Sequence, residues 1–316
     1  MPARLSLAEL TQGVRGGDRR VLAQAITLVE SQLPADQQLA ARLLQELLPA
    51  TGGALRLGVS GAPGVGKSTL LECLGLRLVA RHKLAVLAID PSSPVSGGSI
   101  LGDKTRMEQL ARAPQAFVRP SPGGTALGGV AAHTREAILL CEAAGHDVVI
   151  VETVGVGQSE TEVANMTDFF LLLVLPGSGD ELQGIKRGIM ELADAVAITK
   201  ADGDNLGRAR TAHGEFAAAM QVLGHHDTAV LTCSGLTGDG VDALWEHVCA
   251  RVAAWRRSGA LAERRRQQAG RWFDAVLRER AWAEFVRRPE VAQRIEQARA
   301  DVLAGRIAPT SAAGGV

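Results

Sequence analysis

At 316 residues, with 34 basic against 34 acidic side chains, the chain is long enough to bury a large core and carries no net charge to favour nucleic acid or a membrane surface. Aromatic side chains make up 3% of it and tyrosine is absent, which leaves little for stacking on bases. Four scattered cysteines (Cys73, Cys141, Cys233, Cys249) form no C-x-x-C pair, and no apolar run approaches the roughly 18 residues of a membrane span, so a reduced, cytoplasmic protein is expected.

Residues 5 to about 50 read as helices, with Val21, Leu22, Ala25, Ile26 and Val29 on one apolar face and Leu39, Leu43, Leu44 and Leu47 on another. They stop at Pro49 and Gly52-Gly53, which makes residues 1–52 a helical preface. From Leu55 onward, short Val-, Ile- and Leu-rich runs alternate with helical patterns, as in a mostly parallel sheet covered by helices on both faces. Strands are expected at residues 55–60, 84–89, 148–151, 169–175, 195–198 and 229–231, within a domain of residues 53–258. In such a sheet ligands sit beyond the carboxyl ends of the strands, so residues there are candidates by geometry.

The first strand runs into Gly61-Ala62-Pro63-Gly64-Val65-Gly66-Lys67-Ser68, a complete G-x-x-x-x-G-K-[ST] phosphate cradle, with Thr69 in the first turn of the helix that follows. The glycines let backbone N–H groups curl inward, the helix N-terminus adds positive dipole, Lys67 supplies a point charge for the outer phosphates, and the Ser68 hydroxyl suits Mg²⁺. Asp90 ends the second expected strand and Glu152 the third, where carboxylates are placed to hold Mg²⁺ directly or through water. Asp103 lies in a Gly-rich stretch suited to closing over the nucleotide.

Gly155 follows Glu152 as E-x-x-G, where its N–H can sense a terminal phosphate. Val156 stands directly after it and Gln158 two residues further, so slow intrinsic hydrolysis, accelerated by a partner, is expected. Asp202, in Thr199-Lys200-Ala201-Asp202, suits the ring N–H and exocyclic amine of guanine, a pair that adenine lacks; the Lys200 stem can lie along the base. Ser234-Gly235-Leu236, after the last strand, offers N–H groups to the base carbonyl.

From Leu261 the composition turns to Arg, Gln, Ala and Glu, with Trp272, Phe273, Val276, Trp282 and Phe285 at helical spacing. This charged helical arm, residues 259–316, either folds back on the domain or buries itself against a second subunit. Arg264-Arg265-Arg266 reads as a solvated face, His133 as a capping or solvated residue near a helix start, and His225-His226 as turn residues.

The strings Gly61 to Ser68, Asp90-Pro91-Ser92-Ser93-Pro94, Gly97 to Met107, Glu152-Thr153-Val154-Gly155-Val156-Gly157-Gln158 and Thr199-Lys200-Ala201-Asp202 together resemble the MeaB/ArgK group of P-loop GTPases. The resemblance implies an α/β P-loop NTPase fold and a chaperone that binds GTP and GDP with Mg²⁺. It would hydrolyse GTP slowly and gate cofactor loading or reactivation of an adenosylcobalamin-dependent acyl-CoA mutase such as methylmalonyl-CoA mutase. It places metal ligation on Ser68, Asp90, Asp103 and Glu152, and coupling to the mutase on the segment with Asp180, Glu181, Gln183 and Lys186, which by pattern alone is a Gly-flanked loop entering a helix. It further implies a homodimer through the arm. Two departures from the family pattern stand out: Thr199 replaces a common Asn, which weakens contacts to base and loop, and Gly235 replaces a common Ala, which loosens its loop. The alternatives are a metal-insertion GTPase of the same superfamily, which calls for a Cys or His cluster, and an ATP-using P-loop kinase or transport ATPase, against which Asp202 argues.

Overall fold

The structure, a computed structural model, describes residues 5–89, 107–119, 127–153, 159–177 and 187–316, with 127–132, 159 and 187 described through their main chain only. The candidates Asp90, Asp103, Gly155, Gln158, Asp180, Glu181, Gln183 and Lys186 lie outside the described residues. The chain divides into two compact units, residues 1–265 and 266–316.

The preface consists of α1 (Leu7–Arg15), α2 (Arg19–Val29) and α3 (Pro34–Leu47). Each start has a local cause. Ser6 and Glu9 form a reciprocal capping box, the Asp18 carboxylate accepts from the Arg20 and Val21 N–H groups, and Pro34 supplies the first-turn φ for α3.

Strands and helices then alternate: β1 (Leu55–Gly61), α4 (Lys67–Leu78), β2 (Leu84–Ile89), α5 (Glu108–Arg112), β3 (Ala116–Arg119), α6 (Leu127–Ala143), β4 (Val148–Thr153), α7 (Ser159–Ala164), β5 (Phe169–Val174), α8 (Arg187–Met190), β6 (Ala195–Ile198), α9 (Leu206–Val222), β7 (Ala229–Thr232) and α10 (Val241–Ser258). The sheet order is β3-β2-β4-β1-β5-β6-β7, and every pairing is parallel. Six of these strands are the expected ones. The seventh, β3, is a four-residue edge strand whose short pattern, Ala116-Phe117-Val118-Arg119, carries too little periodicity to stand out.

Side chains alternate across the sheet and build two cores. On one face Leu57, Val59, Ile150 and Leu171 pack with Leu70, Leu71 and Leu74 of α4 and Val248 of α10. On the other, Val149, Val151, Phe170 and Val196 pack with α6, α9 and the preface residues Leu22, Ile26 and Leu43. The preface is therefore part of the wall on that face.

At the amino ends of the strands, Arg264 and Arg265 correct the expectation of a solvated arm face. Arg265 makes a bidentate pair with fully buried Asp168 (2.7 and 2.6 Å) and donates to the Ala54 carbonyl at 2.6 Å; Arg264 makes one with Asp194 (both 2.8 Å) and lies 4.5 Å over the Trp255 ring. Those aspartates also accept main-chain N–H groups of Arg56 and Phe170. A pair of this kind, once formed, is costly to break on one side only, because the other charge is left buried. The last helices are α11 (Ala260–Val286), α12 (Pro289–Leu303) and α13 (Pro309–Gly314); along α11, Phe273, Leu277 and Trp282 are exposed.

His146, just before β4, is buried, donates through Nδ1 to the Cys141 carbonyl at 2.9 Å and tilts against the Phe117 ring. Burial, assisted by Lys83 and Arg19 and opposed by that hydrogen bond and by Asp147, lowers its pKa from 6.5 to about 4. Between those values the unfolded chain binds the extra proton, so this contribution to stability is complete above pH 6.5 and is lost as pH falls toward 4. Denaturant unfolding from pH 7 to pH 4 should show a loss on the order of 3 kcal/mol from this group, and a His146→Gln variant should show a flatter profile; identical slopes in the two proteins would refute the assignment.

Candidate functional site

The phosphate loop leaves the carboxyl end of β1 at the place where the chain diverges, β1 leading to β2 on one side and β4 to β5 on the other. A crevice outside the strand ends at such a point is where open α/β sheets take their ligands. Gly61 is required by space: a Cβ there would lie 2.5 Å from the Leu173 carbonyl oxygen and 3.1 Å from Val65 Cγ1. Val65, fully buried in the middle of the loop, plugs it into the core beneath α4. The loop ends at Gly66 in the left-handed region (φ 95°), and Lys67 begins α4, whose first turn holds Ser68 and Thr69.

The Lys67 ammonium donates to the carbonyls of Gly61 at 2.6 Å and Ala62 at 3.2 Å, so it lies across the mouth of the loop it is expected to serve. Pro63 and Gly64 form the exposed rim of the curl beside half-buried Ala62, with the Val65 N–H bonded back to the Ala62 carbonyl at 3.2 Å. Glu152 is 2% exposed on β4 and pairs in register with Val59. By alternation it shares the face of Ile150, the face that carries α4, while its neighbours Val151 and Thr153 look to the other side. Lys67, Ser68 and Glu152 thus converge on one side of the sheet at its carboxyl edge.

The residues expected to read a base come from two adjacent strand ends. Ala201 N–H donates to the Cys233 carbonyl at 3.1 Å and Cys233 N–H to the Ile198 carbonyl at 2.9 Å, which fixes the β6 and β7 loops to one another. The Ser234 hydroxyl donates to the Asp202 carboxylate and accepts the N–H groups of Leu236 (3.2 Å) and Thr237 (3.1 Å). That arrangement holds the Asp202 carboxylate in place with acceptor capacity left over, since each carboxylate oxygen has two lone pairs. Burial pushes the Cys233 thiol up to about 12, so it is a neutral packing group beside this loop.

Lys200 adopts φ 52°, a left-handed conformation that costs a non-glycine residue on the order of 1–2 kcal/mol and marks a position held by its surroundings. Its chain passes back toward the phosphate loop, with Cε 3.8 Å from where a Cβ on Gly66 would lie.

Both departures from the family pattern have a structural meaning that differs from the one expected. The Thr199 hydroxyl, 2% exposed, donates to the Val65 carbonyl at 2.6 Å and lies 3.1 Å from the Val174 carbonyl, so the tie to the phosphate loop is made by a hydroxyl. Gly235 is a close approach: a Cβ there would meet the Leu70 backbone nitrogen at 2.8 Å, and the missing methyl lets the base loop press against α4. His133, within α6, is also corrected; its ring lies 3.3 Å from both Gln32 and Glu136, bridging the preface to α6. Sequence reasoning passed over Thr199 as a tether and Ser60 and Thr153 altogether. The available signal was a hydroxyl residue at or beside the carboxyl end of each of three mostly apolar strands.

Comparison with known proteins agrees with this geometry. The family model described as "Methylmalonyl Co-A mutase-associated GTPase MeaB" matches residues 22–290. The "GTPase ArgK" of Escherichia coli (strain K12) is 52% identical over 85% of this chain and 82% of its own length. The "Methylmalonic aciduria type A homolog, mitochondrial" of Mus musculus is 44% identical over 96% of this chain and 77% of its own. A crystal structure titled "LAO/AO transport system kinase" superposes with a TM-score of 0.76 at 38% identity, covering 99% of this chain and 98% of that one. With a match over residues 22–290 and a relative 52% identical over most of both chains, on a sheet that carries the phosphate loop after β1, an acid on β4 and Asp202 after β6, the chain belongs to the MeaB family of P-loop GTPases.

Proposed function

We propose that this GTPase is a nucleotide-gated chaperone of an adenosylcobalamin-dependent acyl-CoA mutase, of which methylmalonyl-CoA mutase is the leading candidate, and that it acts in the cytoplasm. The observation that carries the reading is the match of residues 22–290 to a family described as mutase-associated, on a chain whose phosphate, acid and base positions are all present. The mouse relative, named for methylmalonic aciduria, supports the same partner.

In this reading GTP lies with its phosphates in the curl of Gly61 to Ser68 and its base edge on Asp202, with Gly155 as the sensor of the terminal phosphate. Lys67 leaves the carbonyls of Gly61 and Ala62 to meet the outer phosphate oxygens. Ser234 keeps Asp202 oriented toward the ring N–H and amine of guanine, and Gly235 and Leu236 line the carbonyl side of the base. The donor set fits Mg²⁺: Ser68 gives a hard oxygen in the first turn of α4, and Glu152 gives a carboxylate on the same face, with Asp90 and Asp103 as the further ligands. When bound, the ion would offset negative charge on the phosphate oxygens.

The segment with Asp180, Glu181, Gln183 and Lys186 is proposed to report nucleotide state to the mutase. The arm is proposed to pair two copies, which would cover the exposed Phe273, Leu277 and Trp282 of α11. The metal-insertion alternative calls for a ligand cluster, and among the described residues no group of three or more His, Cys, Asp or Glu is arranged to hold a metal ion. No helix among the described residues is long and apolar enough to cross a membrane.

Replacing Asp202 with Asn should weaken GTP binding by about a hundredfold, because two charge-assisted hydrogen bonds are lost, and should improve binding of xanthosine triphosphate, whose 2-carbonyl accepts from the new amide. Unchanged GTP affinity in that variant would remove Asp202 from the site. Mixed with purified adenosylcobalamin-dependent methylmalonyl-CoA mutase, the chain should co-elute with it in gel filtration and hydrolyse GTP several times faster than alone. Absence of both effects with GTP and with GDP would reject the partner.

A further inference from the structure

Ser60 is the next-to-last residue of β1 and Thr153 the last of β4, where each strand gives way to nucleotide-directed chain: Ser60 precedes Gly61 of the phosphate loop, and Thr153 follows Glu152 and stands two residues before Gly155. Both are completely buried, and their hydroxyls are 2.9 Å apart. They continue the β1–β4 register by one rung, since Val59 is opposite Glu152, and Thr153 is opposite Ile89 on its other side, the residue before Asp90. The pair therefore lies on the midline of the sheet, among the three strand ends that lead to the phosphate loop, to Glu152 and to Asp90.

Apolar residues would fill this place more cheaply, as they do at every earlier position of both strands except Arg56 and Gly58 of β1 and Glu152 of β4. A buried hydroxyl without a partner is destabilising, and this pair satisfies itself only while the two strand ends keep their separation. Its side chains face α6 and α7, the face opposite Glu152, so a change in their spacing rotates or shifts the acid without any contact to nucleotide. The bond is also intolerant of displacement, because hydroxyl hydrogen bonds weaken steeply once lengthened or bent.

We propose that Ser60 and Thr153 are a positioning pair for GTP hydrolysis: their mutual hydrogen bond sets the spacing between the phosphate-loop stem and the end of the strand that carries Glu152, and so the alignment of the loop and the acid on the terminal phosphate. GDP, which lacks that phosphate, is held by the loop and by the base site and draws little on the alignment. The inference rests on the family's GTPase activity and not on the identity of the mutase partner.

The test uses the full chain, single-turnover GTP hydrolysis and affinity for a fluorescent GDP analogue. Ser60→Ala and Thr153→Val should each slow hydrolysis by about tenfold, as expected for one misaligned hydrogen bond, with GDP affinity within about twofold of the parent. The double variant should be no slower than Thr153→Val alone, because each single change already breaks the one bond, and Thr153→Ser should recover most of the rate. Thr153→Ser and Ser60→Ala keep the test available if Thr153→Val does not fold. Unchanged hydrolysis in Ser60→Ala and Thr153→Val would overturn the proposal. So would additive losses in the double variant accompanied by equal losses of GDP affinity, which would mark the pair as packing alone.

Discussion

One hydrogen bond joins the two halves of the nucleotide site: the Thr199 hydroxyl, at the end of β6, donates to the main-chain carbonyl of Val65 in the phosphate loop at 2.6 Å. The loop can present its N–H groups inward only if its carbonyls point away and are satisfied behind it. Val65 meets that demand twice, with its side chain in the core under α4 and its carbonyl on Thr199. Since Lys200 and Asp202 follow Thr199 directly, the same contact sets the distance between the part of the site that takes phosphates and the part that reads the base. A hydroxyl makes this tie without an atom to spare for a base, so in the proposed reading discrimination falls to Asp202 and the Ser234 loop.

The rest of the molecule holds this arrangement from behind and below. Two cores of opposite strand parity fix the sheet, the preface closes one of them, and the Arg264–Asp194 and Arg265–Asp168 pairs tie the start of the arm helix to the amino ends of the strands. The charged clamp and the nucleotide loops are at opposite ends of the same strands. Such a division is usual where loops carry function on a fixed scaffold.

Much of this was legible in the amino-acid sequence, and the parts that were not share a cause. The phosphate loop, six of the seven strands and Glu152 near the end of β4 follow from local pattern, because glycine spacing and apolar runs dictate local backbone. Strand β3 was missed because Ala116 to Arg119 ends in a charge and follows Pro114-Gln115, too short an apolar run to stand out, and pairing with β2 makes it a strand. Arg264 and Arg265 were misread because helical charge patterns do not say what lies across from them; their partners, Asp194 and Asp168, are 70 and 97 residues away. Gly235 and Thr199 were read as losses for the same reason: whether a missing methyl or a hydroxyl weakens a loop depends on the backbone opposite, here that of Leu70 and Val65.

The account stands on a single guanine-selective nucleotide site built by one chain. Titration calorimetry of the full chain in Mg²⁺ buffer measures this most directly. The account predicts one GDP bound per chain, with ADP weaker by at least about a hundredfold, since adenine offers Asp202 no paired donors. Comparable uptake of ADP, or none of GDP by well-folded protein, would contradict it.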